Sequence, residues 1–559
     1  MKLPLFGGSI GTWRRDAEEL RAYAPRTWAD AAAALPLTTA DRFGPTGYFE
    51  TVRVGGAGAS IVLLDGLPWP REAGGLPNGN ALPRAGVGAV AVATPRILPA
   101  AAAVAPGGAI LLETEPWTGG EPVSYVDAEQ GSGGYRDYRF GLSRNITPRL
   151  SLQLNGRFRK ANQYVVDSYR GSSSDIRVGF PLREDLLVRA GWRTYKDEQV
   201  LINPTLQDVV FSHDGTDERR LLFAEASFRG MVGQAYRTKI HSHAEPRSAG
   251  FERVRIVEER KGILLSHRRI TGAADLSFGL RAERKEAETE DRSREEWEAT
   301  AAASAERLLA GAFRVRIALA EELADGEAYT DAEGAVYREG TVPVLLRVAR
   351  LWERPTARDW VEGSYERDVI RTGEIGCSFP FLPGGPGIRY FRREGDGVRR
   401  LLSVDAFRME GARIDERTTG WEVAAVFEKG RLETEAVYSY FHAREKGADE
   451  RPPYHADHLV RGRLSFTHPV PWFDWEPRWD ALAEWRSDRN APDRESAMEG
   501  YVYLRGRITI NPRGGVLLFG QMEQATGPSL EYFDGPSGGD GVLSGTQQIV
   551  LGVMWPFRD

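Results

Sequence analysis

The 559-residue sequence lacks long hydrophobic runs. No stretch approaches the roughly 18 consecutive apolar residues that indicate a transmembrane helix. Charged residues make up 27% of the chain, and the mean hydropathy is −0.40. Helical membrane spans are therefore excluded. A membrane β-barrel is not excluded, because only alternate residues of its strands face lipid and the average hydropathy stays low.

Cysteine and a strong excess of one charge sign are also lacking. The single cysteine, Cys377, cannot form an intrachain disulfide, and a small buried or lipid-facing role is favoured over catalysis. The formal net charge of −6 gives no reason to expect nucleic acid as a partner.

The N-terminal hundred-odd residues carry the pattern of a small folded domain. Short β-branched and leucine-rich segments at 52–54, 61–64, 87–92 and 107–114 are separated by glycine and proline, which predicts strands. The second segment ends in Asp65-Gly66, a pair that tolerates the positive φ of a tight turn. Ahead of them, residues 16–35 predict one or two short helices, with Thr27 as a cap.

From about residue 120 the pattern changes to strict alternation over about ten residues. In residues 150–158, leucine and phenylalanine occupy one face, and serine, glutamine, asparagine and arginine the other. Residues 501–510 and 549–557 show the same alternation of apolar and polar residues. Strands of a soluble sandwich run to about five or six residues, whereas about ten are needed to cross a bilayer at a tilt. We therefore predict an antiparallel transmembrane β-barrel with a wet lumen.

The connections between these segments alternate in length. Short turns alternate with polar stretches, which we interpret as long loops, at 161–173, 196–218, 286–298, 321–340, 445–453 and 527–541. At about 20 residues per strand with its turn, the region after residue 119 holds about 22 strands. A direct count of segments gives closer to 20.

Several short motifs follow one another in an order that is typical of one family. They lie at 18–36, 52–56, 63–68, 107–114, 354–356, 372–376, 405–408, 420–422 and 438–440, and the chain closes on Trp555 and Phe557. In this order and spacing the sequence resembles the TonB-dependent outer-membrane receptor family. The resemblance implies an α/β plug domain at residues 1–118 inside a barrel formed by residues 119–559, in the bacterial outer membrane.

The resemblance also implies a function. A receptor of this family takes up a scarce solute such as an iron chelate, a corrinoid or an oligosaccharide, with energy from a TonB-type coupling protein. Its small-molecule ligand binds between the outer loops and the upper surface of the plug. We place that surface at residues 69–83, with Trp69, Arg71, Asn78 and Asn80 as ligand contacts; a solvated Gly/Pro loop is the alternative. Membrane lipid is the other expected partner, and no enzymatic activity or cofactor is expected.

Departures from the family pattern favour an alternative function. The family carries an Arg-Gly pair where this chain has residues 55–56, and an Arg-Gly-Pro where it has 93–95, so that Arg53 and Arg96 are offset. The family's arginines would pair with barrel carboxylates. No coupling box is evident before Asp16, and residues 1–11 are too short for a signal sequence, so we expect either that the true start lies upstream or that the signal has been removed from this sequence. The alternative is a plugged barrel that binds or has a structural role without transport.

Other motifs are weaker. The pair His241 and His243 with Glu245, and the cluster at 455–458, could hold a metal, but exposed loop edges are the favoured interpretation. Residues 7–11 match G-x-S-x-G without room for the strand that this motif requires. We predict no metal or catalytic site.

Overall fold

The computed structural model describes most of the chain between Thr12 and Arg558. The residues outside the description are 1–11, 17–18, 21–26, 34, 36–37, 44–48, 55–59, 70–78, 80–85, 115–122, 163–168, 184, 204–209, 247–252, 273, 310–311, 325, 355–360, 362–367, 406–407, 449, 453–454, 471–474, 491–496, 499, 512–515, 527–547 and 559. Across the described ranges, no helix combines the length and the apolar character needed to cross a membrane.

The N-terminal region forms a mixed β-sheet with one short helix, and we call residues 12–114 the plug. Its strands are β1 Thr12–Arg15, β2 Thr38–Phe43, β3 Phe49–Val54, β4 Ile61–Leu64, β5 Leu67–Pro68, β6 Val87–Ala93, β7 Arg96–Leu98, β8 Ala103–Ala105 and β9 Ala109–Thr114. Helix α1 spans Trp28–Ala33, and a 3-10 turn spans Pro99–Ala101. The central sheet has the order β1-β6-β9-β4-β5, in which only β4 and β9 are parallel.

These elements confirm the predicted strands and part of the predicted helical segment. Strands β3, β4, β6 and β9 lie where the sequence pattern placed them. Besides α1, a helical turn begins at Asp16, whose carboxylate accepts the N–H of Glu19 at 3.0 Å while the Glu19 carboxylate accepts the N–H of Asp16 at 3.2 Å. This reciprocal pair is a capping box. Strand β1 was not predicted, because its four residues carry too little apolar pattern.

The turn between β4 and β5 confirms the prediction for Asp65-Gly66. The φ angles are 52° at Asp65 and 82° at Gly66. Positive φ at both central residues is the requirement of a type I′ hairpin turn. The turn brings Leu67 opposite Leu64.

The rest of the chain closes into an antiparallel barrel of 22 strands within the described residues, which confirms the predicted fold class. Strands β10 and β33 pair to close it. The barrel strands are β10 Val123–Gly131, β11 Arg136–Thr147, β12 Leu150–Ala161, β13 Tyr169–Arg183, β14 Leu186–Asn203, β15 Val210–Phe228, β16 Met231–Pro246, β17 Val254–Thr271, β18 Ala274–Glu288, β19 Ser293–Leu309, β20 Phe313–Ala324, β21 Glu327–Arg338, β22 Val344–Glu353, β23 Asp368–Ser378, β24 Gly387–Asp405, β25 Arg408–Lys429, β26 Leu432–Glu445, β27 His458–Thr467, β28 Arg478–Arg486, β31 Tyr501–Ile510, β32 Leu517–Thr526 and β33 Gln548–Arg558. A separate pair, β29 Arg489–Asn490 and β30 Ala497–Met498, lies between β28 and β31.

The predicted alternation is confirmed by the exposure of the side chains. On β12, Phe158 points outward and is 44% exposed, whereas Gln153 and Arg157 point inward and are buried. On β31, Leu504 points outward and Arg505 inward. The outward face is thus apolar, and the inward face is polar.

Three stretches that we interpreted as long loops are mostly strand. Residues 196–218 lie largely in β14 and β15, 286–298 in β18 and β19, and 321–340 contain β21. Their backbones are paired with neighbouring strands, as from Asn203 opposite Val210 down to Tyr195 opposite Arg219. Outside the apolar band the side chains are polar on both faces, so hydropathy gives no signal for a strand there.

The two ends of the barrel differ. Two-residue turns connect β11 to β12, β15 to β16, and β25 to β26, and we call this the short-turn end. The opposite end carries the longer connections, such as 354–367 and 446–457, and we call it the long-connection end.

Candidate functional site

The plug lies against the inward face of the barrel, and that face is polar. Inward arginines such as Arg193, Arg219 and Arg347 are almost fully buried. Burying a charge is costly unless it is paired and hydrogen-bonded. Plug and wall are accordingly joined by ion pairs and hydrogen bonds at separate places on the circumference, in addition to apolar contacts.

The first contact is made by the β4–β5 turn, and we call it the Asp65 contact. The Asp65 carboxylate accepts the N–H of Thr114 at 2.9 Å, which ties the turn to β9. The guanidinium of Arg193 on β14 lies 2.7 Å from the same carboxylate and also binds Asp175 at 3.0 Å. Arg177 on β13 donates to the Thr114 hydroxyl. Two wall arginines therefore hold two adjoining plug residues.

The charge of Asp65 is stabilised at this place. Burial raises the pKa of the Asp65 carboxyl, but the Arg193 guanidinium and the Thr114 N–H outweigh it, so the pKa lies below its ordinary value of 3.8. The backbone carbonyl of Asp65 also accepts a hydrogen bond from Gln234 on β16 at 3.2 Å. The turn is thus bound by both its side chain and its backbone.

The second contact is made by β7, on another part of the wall. Arg96 is 3% exposed and lies 3.7 Å from the carboxylate of Glu333 on β21. The other oxygen of Glu333 accepts the N–H of Ile97 at 2.9 Å, and Arg316 on β20 donates to the Ile97 carbonyl at 3.1 Å. Arg96 also donates to the Thr12 hydroxyl of β1, which links the wall to the plug sheet.

The offset position of Arg96 does not prevent pairing with the barrel. The resemblance implied a plug arginine near residues 93–95 that pairs with a barrel carboxylate, and Arg96 makes such a pair with Glu333. Burial lowers the pKa of Arg96 to about 10, against the opposing effect of Glu333. Arg96 is therefore still charged at neutral pH.

The third contact lies near the start of the plug. Arg15 at the end of β1 pairs with Glu435 on β26 at 3.2 Å. Arg461 on β27 donates to the carbonyl of Thr38 at 2.8 Å and reaches that of Leu35. Arg461 thereby binds two carbonyls that follow α1, one just after the helix and one at the start of β2.

An apolar contact completes the interface. The 3-10 turn Pro99–Ala101 lies against Gly279 of β18, where a Cβ atom would come within 1.9 Å of the Pro99 carbonyl oxygen. Ile97 packs beside this turn on wall residues with small side chains for the most part, namely Ala302, Ala318, Ala320, Ala349 and Leu351. Where the 3-10 turn and Ile97 approach the wall, the wall therefore carries glycine and mostly small side chains.

The largest apolar cluster joins the plug core to the wall. It contains Trp13, Trp28 and Trp69 of the plug together with the wall residues Tyr195, Leu221, Phe223, Tyr236 and Leu264. Trp69 is 4% exposed, and its backbone N–H donates to the Val62 carbonyl at 2.9 Å. The expectation that Trp69 offers its ring at the plug surface is corrected: the indole is a core residue, because its apolar area is removed from water by packing.

The other expected ligand contacts cannot be placed. Arg71, Asn78 and Asn80 lie outside the described residues, so their role in ligand binding stays a prediction. The domain boundary at 118/119 also stays a prediction, between the end of β9 at Thr114 and the start of β10 at Val123.

One residue of a sequence motif has a role that sequence analysis did not assign. Arg354, at the end of β22, binds Glu322 through Nε at 2.7 Å and Glu298 through Nη1 at 2.9 Å. A further bond reaches the Thr300 hydroxyl at 2.7 Å. Arg354 therefore joins β19, β20 and β22 inside the lumen. Its partners lie 32 to 56 residues earlier in the chain, and no local pattern could have indicated them.

The two histidine clusters are engaged in protein contacts. His243 lies 3.0 Å from Glu245, which also pairs with Arg253. The expectation of an exposed loop edge is wrong for His455, which is 2% exposed and whose Nε2 lies 3.0 Å from the Phe441 carbonyl. In the part of the chain that the structure describes, no group of three His, Cys, Asp or Glu residues could hold a metal ion.

Comparisons with known proteins bear on the fold. No family model and no curated protein sequence matches the chain. Solved structures do: the copper transporter OprC (TM-score 0.78, 15% identity, 98% of each chain covered), a mutant of the ferric enterobactin receptor PfeA from Pseudomonas aeruginosa (0.77, 12%, 98% of this chain and 99% of that one) and the FrpB iron transporter from Neisseria meningitidis (0.78, 10%, 97% and 99%). At these identities the likeness concerns the fold alone. These proteins are TonB-dependent receptors. The chain therefore has the fold of the TonB-dependent outer-membrane receptors, a 22-stranded barrel with a plug inside its lumen.

Proposed function

We propose that this chain is an outer-membrane receptor for the energy-coupled uptake of a scarce solute. The observation that carries the proposal is the polar attachment of the plug inside a barrel of 22 strands. A barrel of this size encloses a lumen wide enough to need a plug. A plug held by ion pairs at separate places closes the bore and can exchange those contacts for water when it moves.

The outer apolar face fits a bilayer, and the long-connection end fits the cell exterior. Outer-membrane barrels have short periplasmic turns and longer outer loops. The chain enters the first barrel strand from the plug at the short-turn end, which is where an inner-membrane energy source would act. A TonB-type coupling protein is the partner that this arrangement requires.

The proposed class of ligand rests on the similar solved structures. The names of the similar structures refer to copper, iron, ferric enterobactin and siderophores. We propose a metal chelate as the solute, with corrinoids and oligosaccharides as the alternatives. Arg71, Asn78 and Asn80 remain the proposed contacts, and Trp69 would anchor their segment from the core. The non-transporting alternative loses part of its support, because Arg96 pairs with the barrel.

Uptake in whole cells tests this proposal. Cells that lack the gene, and the same cells carrying the full chain, would be given a panel of radiolabelled ferric and cupric chelates, with and without an uncoupler of the proton-motive force. Accumulation that depends on both the chain and the proton-motive force supports the proposal. Binding at the cell surface without accumulation would instead identify a non-transporting receptor.

A further inference from the structure

A groove with a volume of about 630 Å³ lies on the outer face of the barrel, across strands β20 to β24. We call it the outer groove. The side chains that flank it, such as Ile317, Val348 and Arg371, point away from the lumen, whereas those of the lining residues Glu333 and Ala349 point inward to the plug. It therefore does not belong to the site described above.

One half of the outer groove is apolar. Ile317, Leu319 and Val348 point outward from β20 and β22 and are each more than half exposed. Next to these side chains the barrel surface is recessed, because Gly334 of β21 and Gly373 of β23 carry no side chain. A Cβ at Gly373 would meet no atom within 4 Å. Glycine at these places therefore leaves a channel along the apolar half of the groove.

The other half of the outer groove is basic. Arg350 of β22 and Arg371 of β23 stand directly opposite each other in the ladder, and both point outward and are exposed. Like charges directly opposite each other destabilise a sheet. Arg350 lies over the ring of Trp352 at 5.3 Å. In the described part of the chain Arg371 forms no ion pair; Glu394 stands opposite it on β24, but the Glu394 carboxylate is bound by other arginines.

The same basic half extends along the next two strands. Arg392 on β24 and Arg417 on β25 share the carboxylate of Glu394, at 2.6 and 3.0 Å. One carboxylate thus stands among four outward arginines, which leaves an excess of positive charge beside an apolar channel. Arginine binds phosphate through paired N–H groups.

We propose that the outer groove binds a phosphorylated lipid of the outer membrane. Its phosphate would lie between Arg350 and Arg371 and remove their repulsion, and an acyl chain would lie over Gly334 and Gly373 beside Val348. The charge pattern selects the phosphate, and the adjoining apolar channel selects a lipid over a free anion. The proposal rests on the outer-membrane location in the proposed function, but not on uptake.

The proposal is tested by measuring lipid binding to the purified full-length protein in detergent. The probes are diphosphoryl lipid A, the same lipid after removal of its phosphates, and inorganic phosphate, with binding read by native mass spectrometry. Arg350→Gln with Arg371→Gln is expected to weaken binding of diphosphoryl lipid A at least about tenfold, since two charge-assisted contacts are lost. The matched control is Arg220→Gln with Arg237→Gln, two outward arginines already paired with Glu218 and Glu259. It should bind as the wild type does.

A second variant separates lipid binding from folding. Arg350→Glu places a carboxylate opposite Arg371, and the neighbour of position 350 on the other side is the uncharged Ala332, so we expect a higher melting temperature of the lipid-free protein together with loss of lipid binding. Equal binding of the dephosphorylated lipid, displacement by inorganic phosphate at the same concentration, equal weakening in the control, or retained binding in Arg350→Glu would each overturn the proposal. Because no uptake is measured, failure here leaves the proposed transport function standing.

Discussion

Single residues hold the plug, and Asp65 is one that binds several partners, namely Thr114 of the plug and Arg193 and Gln234 of the wall. Replacing it by asparagine leaves Arg193 with Asp175 alone and weakens the bond to Thr114. We expect Asp65→Asn to lower the free energy of plug attachment by about 1–3 kcal/mol. The measurement uses a cysteine introduced at Val92, a fully buried plug residue, in a protein whose native cysteine is removed by Cys377→Ser. The urea concentration at which this cysteine becomes accessible to a thiol-labelling reagent reports release of the plug.

The matched control for this variant is Arg14→Gln. Arg14 and Glu113 form a pair at 2.6 Å that is about half exposed on both sides. Exposed pairs contribute about 0–1 kcal/mol. A shift in urea midpoint as large for Arg14→Gln as for Asp65→Asn would contradict the assignment of the Asp65 contact.

The Asp65 contact also predicts a dependence on pH. The pKa of Asp65 in the seated plug lies below 3.8. Its stabilising effect is therefore fully present above about pH 3.8 and declines as the pH falls further, because the released plug binds protons first. The difference in urea midpoint between wild type and Asp65→Asn should shrink over this range. A difference that stays constant down to about pH 3 would rule out an ionised Asp65 as the cause.

Gly279 is the residue whose missing side chain admits the plug. A Cβ there would lie 1.9 Å from the Pro99 carbonyl oxygen, so Gly279→Ala must displace the 3-10 turn. We expect labelling at Val92 at a lower urea concentration and a higher basal conductance in planar bilayers. Gly462→Ala on β27 is the control, since a Cβ there meets no atom within 4 Å. Identical behaviour of the two variants would show that the turn does not depend on this contact.

At the scale of elements, the β4–β5 hairpin presents Asp65 to the wall. Gly66 has a φ of 82°, and a Cβ there would touch nothing within 4 Å, so substitution is limited by the backbone alone. Gly66→Ala is expected to reduce attachment by about 1 kcal/mol, and Gly66→Asn by less, because asparagine tolerates positive φ better than alanine. The Val92 labelling assay measures both, and an alanine variant as stable as wild type would contradict the turn geometry.

The elements also show how far sequence reasoning reaches. Alternation predicted the barrel strands wherever one face is apolar, as at residues 150–158 and 501–510. It failed where strands continue beyond the apolar band, as at 196–218, because both faces are polar there. Trp69 was misplaced for a related reason: its neighbours in sequence are turn residues, whereas it is buried in a cluster that also contains Trp13 and Trp28, which are distant in the chain.

The positions at which the plug contacts the barrel wall could not be predicted from the spacing of residues in the sequence either. Arg96 pairs with Glu333 across 237 positions of sequence, and this register is fixed only once the barrel has closed. The family pattern predicted such a pair, but the offset of Arg96 in the sequence argued against it. The arginine side chain is long enough to reach the same partner from a neighbouring backbone position. The ion pair between plug and barrel is therefore present although the Arg-Gly-Pro motif is absent.

At the scale of the whole molecule, the central claim is that the plug closes the barrel. The most direct test is the conductance of planar bilayers containing either the full chain or a variant lacking residues 1–118, with barrel folding verified by the heat-modifiable shift in electrophoretic mobility. The account predicts low conductance for the full chain and large, stable openings for the truncated one. Equal conductance of the two folded proteins would contradict it.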